Sequence, residues 1–161
     1  MDTNNANRWL TLGANIGVLI GIVLLIVELD QNRDMIRAQT RNDISRNITD
    51  HLSLLGGDEK LTSLMLRAEA GEELSRIEEH QHFLLFTSNK RMWENVNYQY
   101  RHGMFSEEEY QAEKETWRFL INKDKSFARN WCPMRKNYSP QFAAEMESLI
   151  NEDICATSRS D

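Results

Sequence analysis

The sequence predicts an all-α protein in which one N-terminal transmembrane helix continues into a small helical bundle. Three observations carry that expectation. Residues 9–27 hold no charged side chain, whereas charged residues make up 27% of the whole chain. Glycine (7) and proline (2) are too scarce for a loop-rich β-sandwich or a disordered chain. No stretch shows the strict apolar alternation of a half-buried strand; apolar residues instead recur three and four apart. The expected divisions are a short tail over 1–8, a transmembrane helix over 9–27, a helical domain over 28–155 and a frayed end over 156–161.

The first element is the apolar run WLTLGANIGVLIGIVLLIV at 9–27. At about 1.5 Å per residue it reaches roughly 28 Å, the thickness of a hydrocarbon core. Arg8 and Trp9 suit an interfacial anchor, and Glu28 and Asp30 mark the exit. A cleavable signal peptide fits poorly. The run is long for one, and ELDQNRD follows it where a small-residue cleavage site belongs. Gly13, Gly17 and Gly21 stand four apart and form a stripe on which a second helix can approach closely. Arg33, Arg37, Arg41 and Arg46 follow the segment, while only Arg8 precedes it. The positive-inside tendency therefore leads us to expect a cytoplasmic C-terminal domain and an N-terminus outside.

No glycine or proline occurs between Ile22 and Leu55, so the first helix is expected to run on into the domain. Leu29, Ile36, Ile44, Ile48, Leu52 and Leu55, with Thr40 in the gap, form one face at nearly 3.6 residues per turn. That period favours a straight helix packed on its own domain over a coiled coil. Gly56-Gly57-Asp58 ends it. A second helix is expected over 59–69, with Leu61, Leu64 and Met65 inward and Gly71 as its stop. Ser75 and Glu78 have capping-box spacing and open a third helix to about Arg101, before Gly103. Ser106 and Glu109 repeat that signature and open a fourth through about Ile121. Residues 124–131 suit a short turn. Ser139-Pro140 marks the start of a last helix, to about Asp153.

No motif fixes a chemistry. The net charge of -6 argues against a nucleic-acid groove, which needs a basic face. Cys132 and Cys155 are too few for a zinc knuckle and, in a cytoplasmic domain, are expected to be free thiols. Glu79 and His82 have the Glu-x-x-His spacing of di-iron bundles, but no second copy exists. The stretch from Glu78 to His82 therefore reads as a solvated first turn, and no metal or cofactor is expected. His51 and His102 stand alone. Glu94, Tyr98 and Arg101 share one helical face, beside a more apolar one with Trp93, Val96 and Tyr100. Trp131, Arg135 and Tyr138 repeat the aromatic-plus-arginine character. These side chains suit a hydrogen-bonded polar layer between helices or, alternatively, the lining of a pocket.

The chain resembles a widespread group of uncharacterised bacterial single-pass membrane proteins. The resemblance rests on Ala14-Asn15-Ile16-Gly17 through Leu25, Glu28-Leu29-Asp30-Gln31-Asn32, Trp93-Glu94, Tyr98-Gln99-Tyr100-Arg101-His102-Gly103, and Trp131, Arg135, Tyr138-Ser139-Pro140 and Phe142. It covers residues 9–150, implies the same architecture and an inner-membrane location, and supplies no activity. The leading expectation is a non-enzymatic, membrane-anchored scaffold or accessory protein. Its partners would be the lipid bilayer and either a second copy or another membrane protein. The alternative is a small-ligand sensor or enzyme with a pocket around Glu94, Tyr98, Arg101 and Arg135.

Overall fold

The computed structural model describes residues 3–150 and 154–155. Helix α1 runs unbroken from Thr3–Gly57, so residues 3–8 are its first turns rather than a separate tail. The chain divides into two compact units, the first ending at Gln39 and the second starting at Thr40. The first unit is helix alone. Its apolar residues, from Trp9 to Val27, are exposed along their whole length, and an 18-residue window within α1 reaches a mean hydropathy of 2.6. A helix of that length and composition can cross a bilayer. Among the described residues, a Cβ added at Gly13, Gly17 or Gly21 would find nothing within 4 Å.

The second unit packs the end of α1 with five further helices: α2 (Glu59–Ala70), α3 (Arg76–Arg101), α4 (Glu107–Lys123), α5 (Phe127–Met134) and α6 (Pro140–Ser148). A single 3-10 turn, Arg135–Asn137, joins the last two. The caps follow local chemistry. Asp58 accepts the N–H groups of Lys60 and Leu61 to start α2. Gly71, at φ 77°, ends it in the left-handed region, where a side chain is strained. Both expected capping boxes form, at Ser75 with Glu78 and at Ser106 with Glu109.

The core is aromatic. Trp117, Trp131 and Phe142 are fully buried, and burying such a ring contributes about 2–3 kcal/mol. Trp93 stacks on Trp117 at 5.3 Å, and Trp131 stacks on Tyr138 at 5.2 Å. The first stack joins α3 to α4, and the edge contact of Trp131 with Phe142 joins α5 to α6. Leu64, Ala68 and Leu74 make a smaller cluster under α2.

Several expectations change. Of the α1 face expected to pack on the domain, Ile44 is buried and Ile48 partly so, but Leu29, Ile36 and Leu52 are exposed. Helix α6 ends at Ser148 rather than near Asp153, whose residue lies outside the described ones. The turn at 124–131 is instead a helix reaching Met134, which accommodates Pro133. Cys132 and Cys155 are not free thiols: they form a disulfide that ties α5 to the C-terminal segment. Their Cα atoms lie 5.5 Å apart, which the sequence separation of 23 does not reveal. Residues 156–161, expected to fray, lie outside the described residues.

Candidate functional site: a cavity around a buried lysine

Helix α3 places His82, Phe86, Lys90 and Trp93 on one face, at intervals of four, four and three residues. All four are buried. An apolar stripe at that position is what holds α3 to the bundle, and Lys90 occupies one of its inward positions. It is 6% exposed. Its Nζ lies 3.3 Å from the Trp93 ring centroid, 4.9 Å from that of Phe86 and 5.5 Å from that of Phe127. The negative faces of these rings partly replace water around an ammonium.

One hydrogen bond serves the amine: Nζ donates to Asn89 Oδ1 at 3.1 Å. The Asn89 amide lies 3.4 Å from His51 Nε2, on α1. Two carboxylates line the same cavity, and both are engaged elsewhere. Glu69 pairs with Lys123 at 2.7 Å. Asp124 accepts the backbone N–H of Ser126 at 2.8 Å and its hydroxyl at 2.6 Å. Among the described residues no carboxylate forms an ion pair with Lys90. Burial pushes the Lys90 amine down from 10.5 to about 7, against a smaller upward pull from Asp124. That displacement is on the order of 5 kcal/mol of disfavour for the buried charge. At neutral pH the group is therefore divided between amine and ammonium.

The cavity over Lys90 has a volume of about 400 Å³, within the range of small-molecule sites. Leu55, Met65, Leu85 and Leu120 wall it, and the exposed Leu52 and Leu66 stand among its lining. His82 touches it and also a more polar hollow of about 490 Å³ between Arg76, His80 and Arg129. Buried, with Nδ1 3.3 Å from the Asn130 amide, His82 is held below the usual imidazole range by burial. The solvated first turn expected for it is thus corrected: a turn further into α3, His82 faces inward. Burial also lowers His51, helped by Lys90.

The residues that sequence assigned to a polar layer or pocket lie elsewhere, apart from Trp93, which lines the cavity. Glu94 accepts the Ser139 backbone N–H at 2.6 Å and Arg91 at 2.6 Å. It thereby ties the residue before α6 to α3, while the Ser139 side chain makes no cap hydrogen bond. Burial pushes the Glu94 carboxyl up, but the Ser139 N–H and Arg91 outweigh it and hold it below its ordinary value. Tyr98 is 49% exposed, and its ring lies tilted against that of His102 with centroids 4.0 Å apart. Arg101 donates to Asn97 Oδ1 at 3.1 Å, and Asn97 donates to Tyr110 Oη at 2.6 Å. Arg135 pairs with Glu147 at 3.4 Å. Trp131 and Tyr138 are core residues, with the Arg91 guanidinium 4.5 Å over the Tyr138 ring. Glu94, Tyr98, Arg101 and Arg135 are therefore spread over four separate contacts.

Lys90, Asn89 and His51 carry no motif. The one signal for them is periodicity: Phe86, Trp93 and Val96 define an inward face on which residue 90 must fall. Among the described residues no three potential metal ligands cluster. No family model matches the chain, and neither a curated protein nor a solved structure does so.

Proposed function

We propose that this is a single-pass membrane protein whose helical domain binds a small amphipathic molecule in the cavity over Lys90. The observation that supports this is an ammonium group buried among rings and leucines beside open volume, with no carboxylate on it. A lysine kept only for packing is replaceable by methionine at no desolvation cost. The ligand reading thus moves from the Glu94 face, where it was first expected, to Lys90. The test is binding of 1-octanol to the full-length protein in nanodiscs by calorimetry, with empty nanodiscs subtracted. Saturable binding in the wild type, lost in a folded Leu85→Trp variant that fills the cavity, is the expected result. Equal heats in both overturn the reading.

The anchor is the apolar part of α1, and the resemblance of the sequence motifs favours the bacterial inner membrane. For orientation, two features oppose each other. The arginines after residue 27 favour a cytoplasmic domain. The disulfide favours a compartment that does not reduce thiols. Asp34 pairs with Arg37 and Glu109 with Arg41, which weakens the arginine signal, and long domains translocate largely regardless of charge. We therefore place the domain on the oxidising side, the reverse of the orientation expected from charge.

A second reading, self-association or docking on a membrane complex, is favoured by the open face over Gly13, Gly17 and Gly21. Close packing there predicts that Gly17→Leu shifts a cross-linkable complex toward monomer while Leu19→Ala does not.

A further inference from the structure

We propose that the cavity over Lys90 takes a single-tailed carboxylate, its head on Lys90 and Asn89 and its chain among Leu55, Leu85 and Phe86. This deepens the ligand-binding reading and rests on it. The head group follows from a count of donors. An ammonium has three N–H donors and an amide two. One Lys90 donor goes to Asn89 Oδ1, and one Asn89 donor faces His51 Nε2. Lys90 and Asn89 both line the cavity, and the structure gives their remaining donors no hydrogen-bond partner among the described residues. The acceptors that could have met them, Glu69 and Asp124, are held by Lys123 and Ser126. The site thus has unmet donors and a positive charge that neither Glu69 nor Asp124 pairs with, which is the complement of a carboxylate.

Other heads fit less well. A cationic head is repelled by the ammonium. An alcohol leaves the buried charge uncompensated. A phosphate monoester brings up to two negative charges to one ammonium. The size of the ligand follows from the volume: at roughly 30 Å³ per water-sized group, about 400 Å³ holds about a dozen heavy atoms. That is a medium-length chain with its carboxylate.

Binding of an anion is tied to the protonated amine. The groups facing Lys90 are His51 from α1, Glu69 from α2, His82 from α3 itself and Asp124 after α4. Burial lowers both histidines, so the proton linkage between pH 6.5 and 8.5 reports Lys90.

The experiment is calorimetry on the full-length protein in nanodiscs with octanoate, 1-octanol, octylamine and octyl phosphate, empty nanodiscs subtracted. At pH 6.5 octanoate should bind about tenfold more tightly than 1-octanol, with octylamine weakest and octyl phosphate no tighter than octanoate. Its affinity should fall about tenfold by pH 8.5 while that of 1-octanol holds. In Lys90→Met the preference for octanoate should vanish while 1-octanol still binds. Lys90→Gln serves the same comparison should Lys90→Met not fold. Octanoate and 1-octanol binding alike overturn the carboxylate assignment and leave the cavity reading standing. A preference for octanoate that survives in the folded lysine variants overturns the role of Lys90. Tighter binding of octyl phosphate reassigns the head to phosphate. No saturable binding of any probe overturns both readings.

Discussion

Burying Lys90 among Phe86, Trp93 and Phe127 gives its amine a pKa of about 7, against 10.5 in the unfolded chain. Below pH 7 both states hold the proton, and the folded state bears the full penalty of a buried charge. Between about pH 7 and 10.5 the unfolded chain keeps a proton that the native amine has released, so stability rises with pH across that window. Lys90→Met removes the charge and should raise stability at pH 6 by up to about 5 kcal/mol, with the gain shrinking toward pH 10. Thermal unfolding at the two pH values checks this; an equal gain at both would contradict the burial of the ammonium. Glu94 presents the opposite case, a carboxylate with its partners, the Ser139 N–H and Arg91, in place. Glu94→Gln should weaken the hold on the Ser139 N–H and cost about 1 kcal/mol, while 1-octanol binding stays unchanged. Urea unfolding and calorimetry on that one variant separate the two roles.

Helix α1 shows how a sequence pattern overstates contact. Ile44 and Leu52 fall on one face eight residues apart, yet Ile44 is buried in the core and Leu52 is 61% exposed. Ile44→Ala should cost about 2–4 kcal/mol, and Leu52→Ala under about 0.5 kcal/mol, by urea unfolding. At the other end, the disulfide closes a loop from α5 through α6 to Cys155. Constraining a loop of that size contributes about 3 kcal/mol in the chain-entropy account. Reductant should lower the unfolding temperature of the wild type and leave that of a Cys132→Ser, Cys155→Ser double variant unmoved.

For the molecule as a whole, the decisive measurement is the side of the membrane on which the domain lies. In the double serine background, Lys136→Cys on an exposed turn should react with an impermeant maleimide in intact spheroplasts, and Asn4→Cys should not. The reverse pattern would restore the orientation that the arginines imply. The all-α class, the continuous first helix and both capping boxes were readable because each depends on local chemistry: an unbroken run without proline, or a serine and glutamate three apart. The cavity was not readable, because Lys90 in isolation looks like any solvated lysine, and only its place between Phe86 and Trp93 on α3 hints otherwise.

Sequence alone thus determined where helices start and that the first is apolar enough to cross a bilayer, since hydropathy and capping act over a few neighbouring residues. Tertiary structure decided which faces of those helices are covered. It brought Cys132 to Cys155, set Glu94 under the start of α6, and turned Lys90 into an apolar cavity with Glu69 and Asp124 committed to other partners. Each of those outcomes joins residues far apart in the chain, and desolvation, unlike propensity, is a property of everything that surrounds a side chain.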